Sequence, residues 1–138
     1  MTVGYSGKPL IEKLGLREGF RARIVDAPDQ YWALLGPLPP SVALVDDCTP
    51  NLDLDFIHCF TTRRDDLEAT FPALQSQLGQ RGMIWISWPK ATVKTETDLN
   101  ENIVRAIGLR NGLVDVKVCA VDAQWSGLKF VRRLKDRS

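Results

Sequence analysis

Histidine is almost absent from this chain: His58 is the only one in 138 residues. Any Ser-His-Asp or Cys-His arrangement would have to be built on it. It sits inside an apolar run, Phe56-Ile57-His58-Cys59-Phe60, where a histidine is ordinarily a hydrogen-bonded core residue. Cysteine is scarce too. Cys48, Cys59 and Cys119 are odd in number and not closely spaced, which argues against a disulfide framework and for a reducing cytoplasm. Cys59 and Cys119 lie in apolar runs and read as small hydrophobes. A metal site on Cys48, His58 and Cys59 is disfavoured, because neighbours on a strand face opposite ways. No metal is therefore expected.

Other absences exclude whole classes. No apolar run approaches the ~20 residues of a membrane span. The stretch from Met1 to Ser6 lacks the basic region and apolar core of a signal peptide. Net charge is +1, so nothing global draws the chain to nucleic acid or to an anionic membrane, and neither is expected as a partner. Glycine-rich phosphate loops are missing: Gly4-Tyr5-Ser6-Gly7-Lys8 lacks the Walker spacing and follows no strand. A small-residue arm ending in Lys8 would be either a lid over a site or a frayed terminus.

What remains is an ordinary globular composition, 44% apolar and 25% charged, at a length that fits one domain. Pro9 opens a short helix over Leu10 to Leu14, ended by Gly15. Strands are expected at Arg21 to Val25, Val42 to Val45, Leu54 to Phe60 and Met83 to Trp88. Helices are expected over Asp29 to Leu35, from about Thr61 to Leu78 with a break or kink at Pro72, and from Asp98 to Gly112. Asp65 with Glu68, and Asp98 with Glu101, have the spacing of capping boxes. Val114 to Val121 and Leu128 to Arg133 are strands joined by a connection short enough for a hairpin. The basic tail from Arg132 to Arg137 reads as a solvated end that blunts a sheet edge. Strands alternating with helices predict a single Rossmann-like, three-layer α/β domain over residues 1–138. Its sheet would be mostly parallel, with a C-terminal antiparallel β-hairpin.

Two resemblances follow. The order of elements, best over residues 65–133, resembles a shortened class I S-adenosylmethionine-dependent methyltransferase fold. The full fold carries one more strand and helix, for which the passage from Asp46-Asp47 to the third strand leaves no room. At motif level the chain is similar to a bacterial family of small domains of unknown function. The shared motifs are Gly-Tyr-Ser-Gly-x-Pro-Leu at Gly4 to Leu10, Trp-Pro-Lys at Trp88 to Lys90, and Val-Cys-Ala-Val-Asp-x-x-Trp-Ser-Gly-Leu-Lys-Phe-Val at Val118 to Val131. The methyltransferase resemblance implies an acidic residue on a ribose after strand two, where Asp46 and Asp47 stand. It also implies a glycine-rich turn after strand one. This chain has Asp26-Ala27-Pro28-Asp29 there, with no glycine, one backbone donor fewer and a carboxylate that would repel an anion.

Ligands of open α/β sheets bind beyond the carboxyl ends of the strands, where strand order reverses. That rim, between strands one and three, would hold Asp26, Thr61, Thr62, Arg63, Trp88 and Lys90. Arg63 and Lys90 near a helix N-terminus suit an anion. Trp125 in the hairpin turn is an unusual expense and reads either as a staple or as a partner contact. The leading expectation is therefore a non-catalytic module, without a resident cofactor, that binds a small anionic or nucleotide-like ligand or a protein at this rim. The alternatives are a methyltransferase with an atypical cofactor loop, and a structural or homo-oligomeric interaction domain working through the hairpin edge and Trp125.

Overall fold

A computed structural model describes residues 8–46 and 49–137. The arm Gly4 to Gly7, Asp47 and Cys48 lie outside the described residues. The elements are α1 (Leu10–Leu14), β1 (Arg21–Val25), α2 (Gln30–Leu35), β2 (Ala43–Leu44), β3 (Leu54–Phe60), α3 (Arg64–Gln77), β4 (Leu78–Pro89), α4 (Glu101–Arg110), β5 (Leu113–Ala120) and β6 (Trp125–Arg132), followed by a 3-10 turn at Leu134–Asp136. They build one six-stranded sheet in the order β2-β1-β3-β4-β6-β5. The first four strands pair in parallel, and β6 runs antiparallel to both β4 and β5. This is the mostly parallel sheet with a C-terminal antiparallel pair that the alternation predicts. No described helix is long and apolar enough to cross a membrane.

The central strands are apolar on both faces because both faces are covered. Phe56 and Phe60 of β3, with Trp85 of β4, pack under α1 and α2 against Leu14, Tyr31 and Leu35. The intervening Ile57 and Cys59, with Ile84, Ile86 and Trp88, pack under α3 and α4 against Leu67, Phe71, Val104 and Ile107. Trp85 and Trp88 thus fall on opposite faces, as parity requires. Helix α4 can lie close to the sheet only because residue 108 is glycine: a Cβ there would stand 2.0 Å from the Phe130 ring.

Several details differ from the sequence reading. Pro72 neither breaks nor splits α3, which runs from Arg64 to Gln77 with Phe71 and Leu74 buried on either side of it. Strand β4 begins earlier than expected: Leu78 already pairs with Leu54, then the register shifts and resumes at Phe56 and Met83. The helix caps are exchanged. Asn100, not Asp98, caps α4, its side chain accepting from Ile103 N at 2.9 Å. Asp98 instead reaches α3, where it accepts from Arg64 N at 2.7 Å. Arg132 is not a solvated tail residue. It ends β6 and donates to the carbonyls of Gln75 (3.0 Å) and Leu78 (2.6 Å), placing a cation at the C-terminus of α3 where the helix dipole favours it.

Polar groups inside the α2-side core form one hydrogen-bonded chain. Tyr31 Oη lies 3.0 Å from His58 Nδ1, and His58 Nε2 lies 2.8 Å from Ser87 Oγ. His58 and Ser87 are fully buried. Burial lowers the imidazole pKa from 6.5 to about 3 and raises that of the Tyr31 phenol, so both stay neutral. The unfolded chain takes up its histidine proton near pH 6.5 while the folded one resists it. Between pH 6.5 and about 3 the unfolded state therefore binds more protons. Stability from this group is complete above that window and is lost as pH falls through it, by up to about 1.4 kcal/mol per pH unit. Urea unfolding between about pH 7.5 and 5 should show this slope in the wild type and a shallower one in His58→Gln; equal slopes would contradict it.

Candidate ligand cleft where strand order reverses

Strands β1 and β3 are neighbours, yet their connections leave in opposite directions: β1 leads out towards β2, and β3 leads on towards β4. Beyond their carboxyl ends the covering elements part, and a cleft of about 420 Å³ opens. Its floor is Val25, Cys59 and Phe60. Asp26 and Trp125 stand on one side; Thr61, Thr62, Asp66 and Thr70 complete the wall towards α3. Two carboxylates and three hydroxyls converge there, and no lysine or arginine is among the described lining residues.

Asp26 makes the turn out of β1 with φ of 56°, the left-handed region that glycine enters most easily. Aspartate is among the few other residues that visit it. The chain therefore reaches a glycine-type turn without glycine, which the sequence reading did not foresee. Cys59 beneath it is inert. Burial first, then the nearby Asp26 charge, push its thiol up to about 12, only partly offset by Arg23.

Trp125 is aimed by a local turn. Asp122 Oδ1 accepts from the backbone N–H groups of Gln124 and Trp125, both at 2.8 Å. The indole then meets Phe60 edge-on, with ring centroids 5.2 Å apart. Trp125 is thus the first residue of β6 and a wall of the cleft. The sequence singled it out as odd but not as part of this site. Asp66 and Thr70 were missed as well; their i, i+4 spacing just after Thr61-Thr62 is the signal that puts both on one helix face.

The remaining expected site residues do not join the cleft. Trp88 is 5% exposed and belongs to the core under α3 and α4. Lys90 donates its backbone N–H to Gln124 O at 2.9 Å, and its charge is felt by Cys119 on the α1 side of the hairpin. Arg63 opens into a separate recess of about 370 Å³ beside Glu96, Thr97 and Asp98. There Thr97 Oγ1 donates to Thr62 O at 2.6 Å, and the Asp98 carboxylate already occupies the N-terminus of α3. The anion position expected at that helix end is filled by the protein itself. Asp46, after β2, borders an apolar hollow of about 200 Å³ made by Ile24, Trp32, Leu44 and Val45. Trp32 and Leu44 are 43% and 50% exposed there.

No protein-family model matches the chain, and no curated protein matches it in sequence. Solved structures do. An S-adenosylmethionine-dependent methyltransferase from Aquifex aeolicus superposes with a TM-score of 0.61 at 13% identity, covering 88% of this chain and 86% of that one. The magnesium protoporphyrin IX methyltransferase of Synechocystis, with S-adenosylhomocysteine bound, gives 0.57 at 12% identity over 90% and 78%. A possible exported protein from Bordetella parapertussis gives 0.65 at 11% identity over 89% and 65%. At these identities the likeness establishes the fold, a methyltransferase-like α/β sheet. It also corrects the leading expectation. Structures with this fold include S-adenosylmethionine-dependent methyltransferases, which overturns the expectation of a non-catalytic anion-binding module.

The cap exchange has a measurable consequence. Asp98→Ala removes the carboxylate from the N-terminus of α3 and should cost about 1 kcal/mol in urea unfolding, a typical value for a lost cap. Asp65→Ala should cost less, since Asp65 makes no side-chain cap in α3. The reverse order would restore the capping box read from the sequence.

Proposed function

We propose that the chain binds S-adenosylmethionine in the cleft beyond β1 and is a methyltransferase with an atypical cofactor loop. The observation that carries this is the Asp26 turn at the strand-order reversal. It supplies a left-handed backbone at the point where the related fold uses glycine, and it adds a carboxylate. The fit is one of charge. The cofactor carries a sulfonium and an ammonium group, and the cleft offers Asp26 and Asp66 with no side-chain cation among its described lining. Its single carboxylate would be met by the hydroxyls of Thr61, Thr62 and Thr70. The hollow beside Asp46 flanks the same strand end through Ile24, and its Trp32 and Leu44 suit a flat ring with Asp46 on the adjoining ribose.

When bound, the cofactor supplies an electrophilic methyl group. The chain's own part is to attract and orient. Asp26 and Asp66 place negative charge where the positive end would lie, and partial desolvation strengthens that attraction. Phe60 and Trp125 make an apolar wall that excludes water from it. Proton acceptance in the cleft falls to Asp26 and Asp66, since Cys59 stays protonated and His58 is buried on the far side of β3.

Isothermal titration calorimetry with S-adenosylhomocysteine tests the reading. The expected dissociation constant is about 10 μM or tighter, roughly −7 kcal/mol. Asp26→Asn keeps a residue that tolerates the left-handed turn but removes the charge, and should weaken binding of S-adenosylmethionine by about tenfold. No heat at millimolar ligand, or equal binding by the variant, would contradict the assignment.

A further inference from the structure

The cleft beyond β1 and β3 has an aromatic corner as well as carboxylates, and together they favour one kind of ligand. Phe60 is the fixed half of the corner. It is 2% exposed, stacks on His58 at 4.3 Å and meets Tyr31 edge-on at 5.1 Å. Trp125 is the half that the core leaves partly open: it is half-buried and lines the cleft. The two ring planes stand 84° apart, so they make two walls of a corner rather than a stack.

The turn holds Trp125 in place without any ligand. Its N–H donates to Asp122 Oδ1 at 2.8 Å, and its carbonyl accepts from Val121 N at 2.9 Å. The carbonyl of Gln124, just before it, accepts from Lys90 N at 2.9 Å and ties the turn to the end of β4. A side chain so placed loses little freedom on binding. Asp26 and Asp66 line the same cleft and make no ion pair among the described residues. Both are exposed, so water and salt screen them, and charge alone would hold a ligand weakly. An aromatic face adds an attraction that carboxylates do not supply. It suits a bulky, weakly hydrated cation whose charge is spread over C–H groups, as in a sulfonium or a quaternary ammonium.

We infer that Trp125 makes the cleft selective for a methylated onium cation, so that S-adenosylmethionine binds more tightly than S-adenosylhomocysteine. This rests on the cofactor reading of the cleft and adds to it the residue that tells donor from product. In the transfer, the acceptor's lone pair bonds to the methyl carbon, the C–S bond breaks, and its electron pair stays on sulfur. The sulfur thereby loses its positive charge. Attraction to the ring face and to both carboxylates goes with it, so spent cofactor leaves and fresh donor is preferred.

Titration calorimetry on the full chain tests this with three probes: S-adenosylmethionine, S-adenosylhomocysteine and trimethylsulfonium. Wild type should prefer the first over the second by at least about tenfold. Trp125→Leu keeps apolar bulk but removes the aromatic face, and should reduce that preference by roughly threefold to tenfold. Trp125→Phe, which restores a ring face, should keep most of it. A residue that only supported the wall would weaken both cofactor forms alike and leave their ratio unchanged. That result, or equal binding of the two forms by wild type, would overturn the inference while leaving the cofactor reading in place. Trimethylsulfonium binding that depends on Trp125, with neither cofactor form bound, would keep the onium site and overturn the cofactor reading. Binding of none of the three would overturn both. Should Trp125→Leu not fold, wild type labelled with fluorinated tryptophan, whose ring face is less negative, must show the same fall in the ratio; an unchanged ratio there would also overturn the inference.

Discussion

The structure turns on one buried contact chain, Tyr31–His58–Ser87. His58 lies at the middle of β3, the strand that separates β1 from β4, and each of its ring nitrogens is taken by a different element. Tyr31 brings α2 to the sheet, and Ser87 ties β4 to β3. The imidazole also stacks on Phe60 at 4.3 Å, and Phe60 in turn supports Trp125. Helix α2 follows the Asp26 turn directly, so Tyr31 holds that turn against the sheet, while Phe60 supports Trp125 in the lining of the cleft. A neutral histidine with both nitrogens satisfied is inexpensive to bury; a charged or unpartnered one there costs several kcal/mol. The only histidine of the chain is thus spent on shape rather than on chemistry.

The second constraint is the open edge of the sheet. Strand β2 is only a pair of residues there, and the cleft beyond β1 extends along Asp66 and Thr70 of α3. Charge is then distributed by neighbourhood. Carboxylates of β1 and α3 face the cleft, Asp98 closes the helix end that would otherwise attract an anion, and the lysines of the hairpin lie on the α1 side. An expectation built on Arg63 and Lys90 as a joint anion site fails for that reason. One is drawn into a recess with Glu96 and Asp98, and the other follows β4 with its backbone N–H on Gln124 O, outside that recess.

Most of the fold was legible because the central strands carry apolar runs, Phe56 to Phe60 and Met83 to Trp88, and alternate with helical patterns. The stretch from Leu54 to Phe60 left no other reading, and the short link before Trp125 required an antiparallel hairpin. The site was legible by position only. Asp26, Thr61 and Thr62 line the cleft because they follow the strands that flank the reversal. What escaped were features set by contacts between distant segments. Asp98 caps a helix 34 residues away rather than its own. Arg132 binds the end of α3 although it sits in a basic run that looks like a tail. The backbone of Asp26 turns left-handed, a choice that residue type permits but does not announce. Absence of glycine was read as absence of the turn, and the two are not equivalent.

On the function proposed above, the cleft beyond β1 and β3 holds the methyl donor. The most direct measurement is a backbone amide chemical-shift titration of the labelled protein with S-adenosylhomocysteine. The claim predicts saturable shifts at Asp26, Ala27, Thr61 and Thr62 and at the Trp125 indole, with Lys117 and Lys129 unmoved. Shifts confined to the hairpin face, or none at saturating ligand, would contradict it.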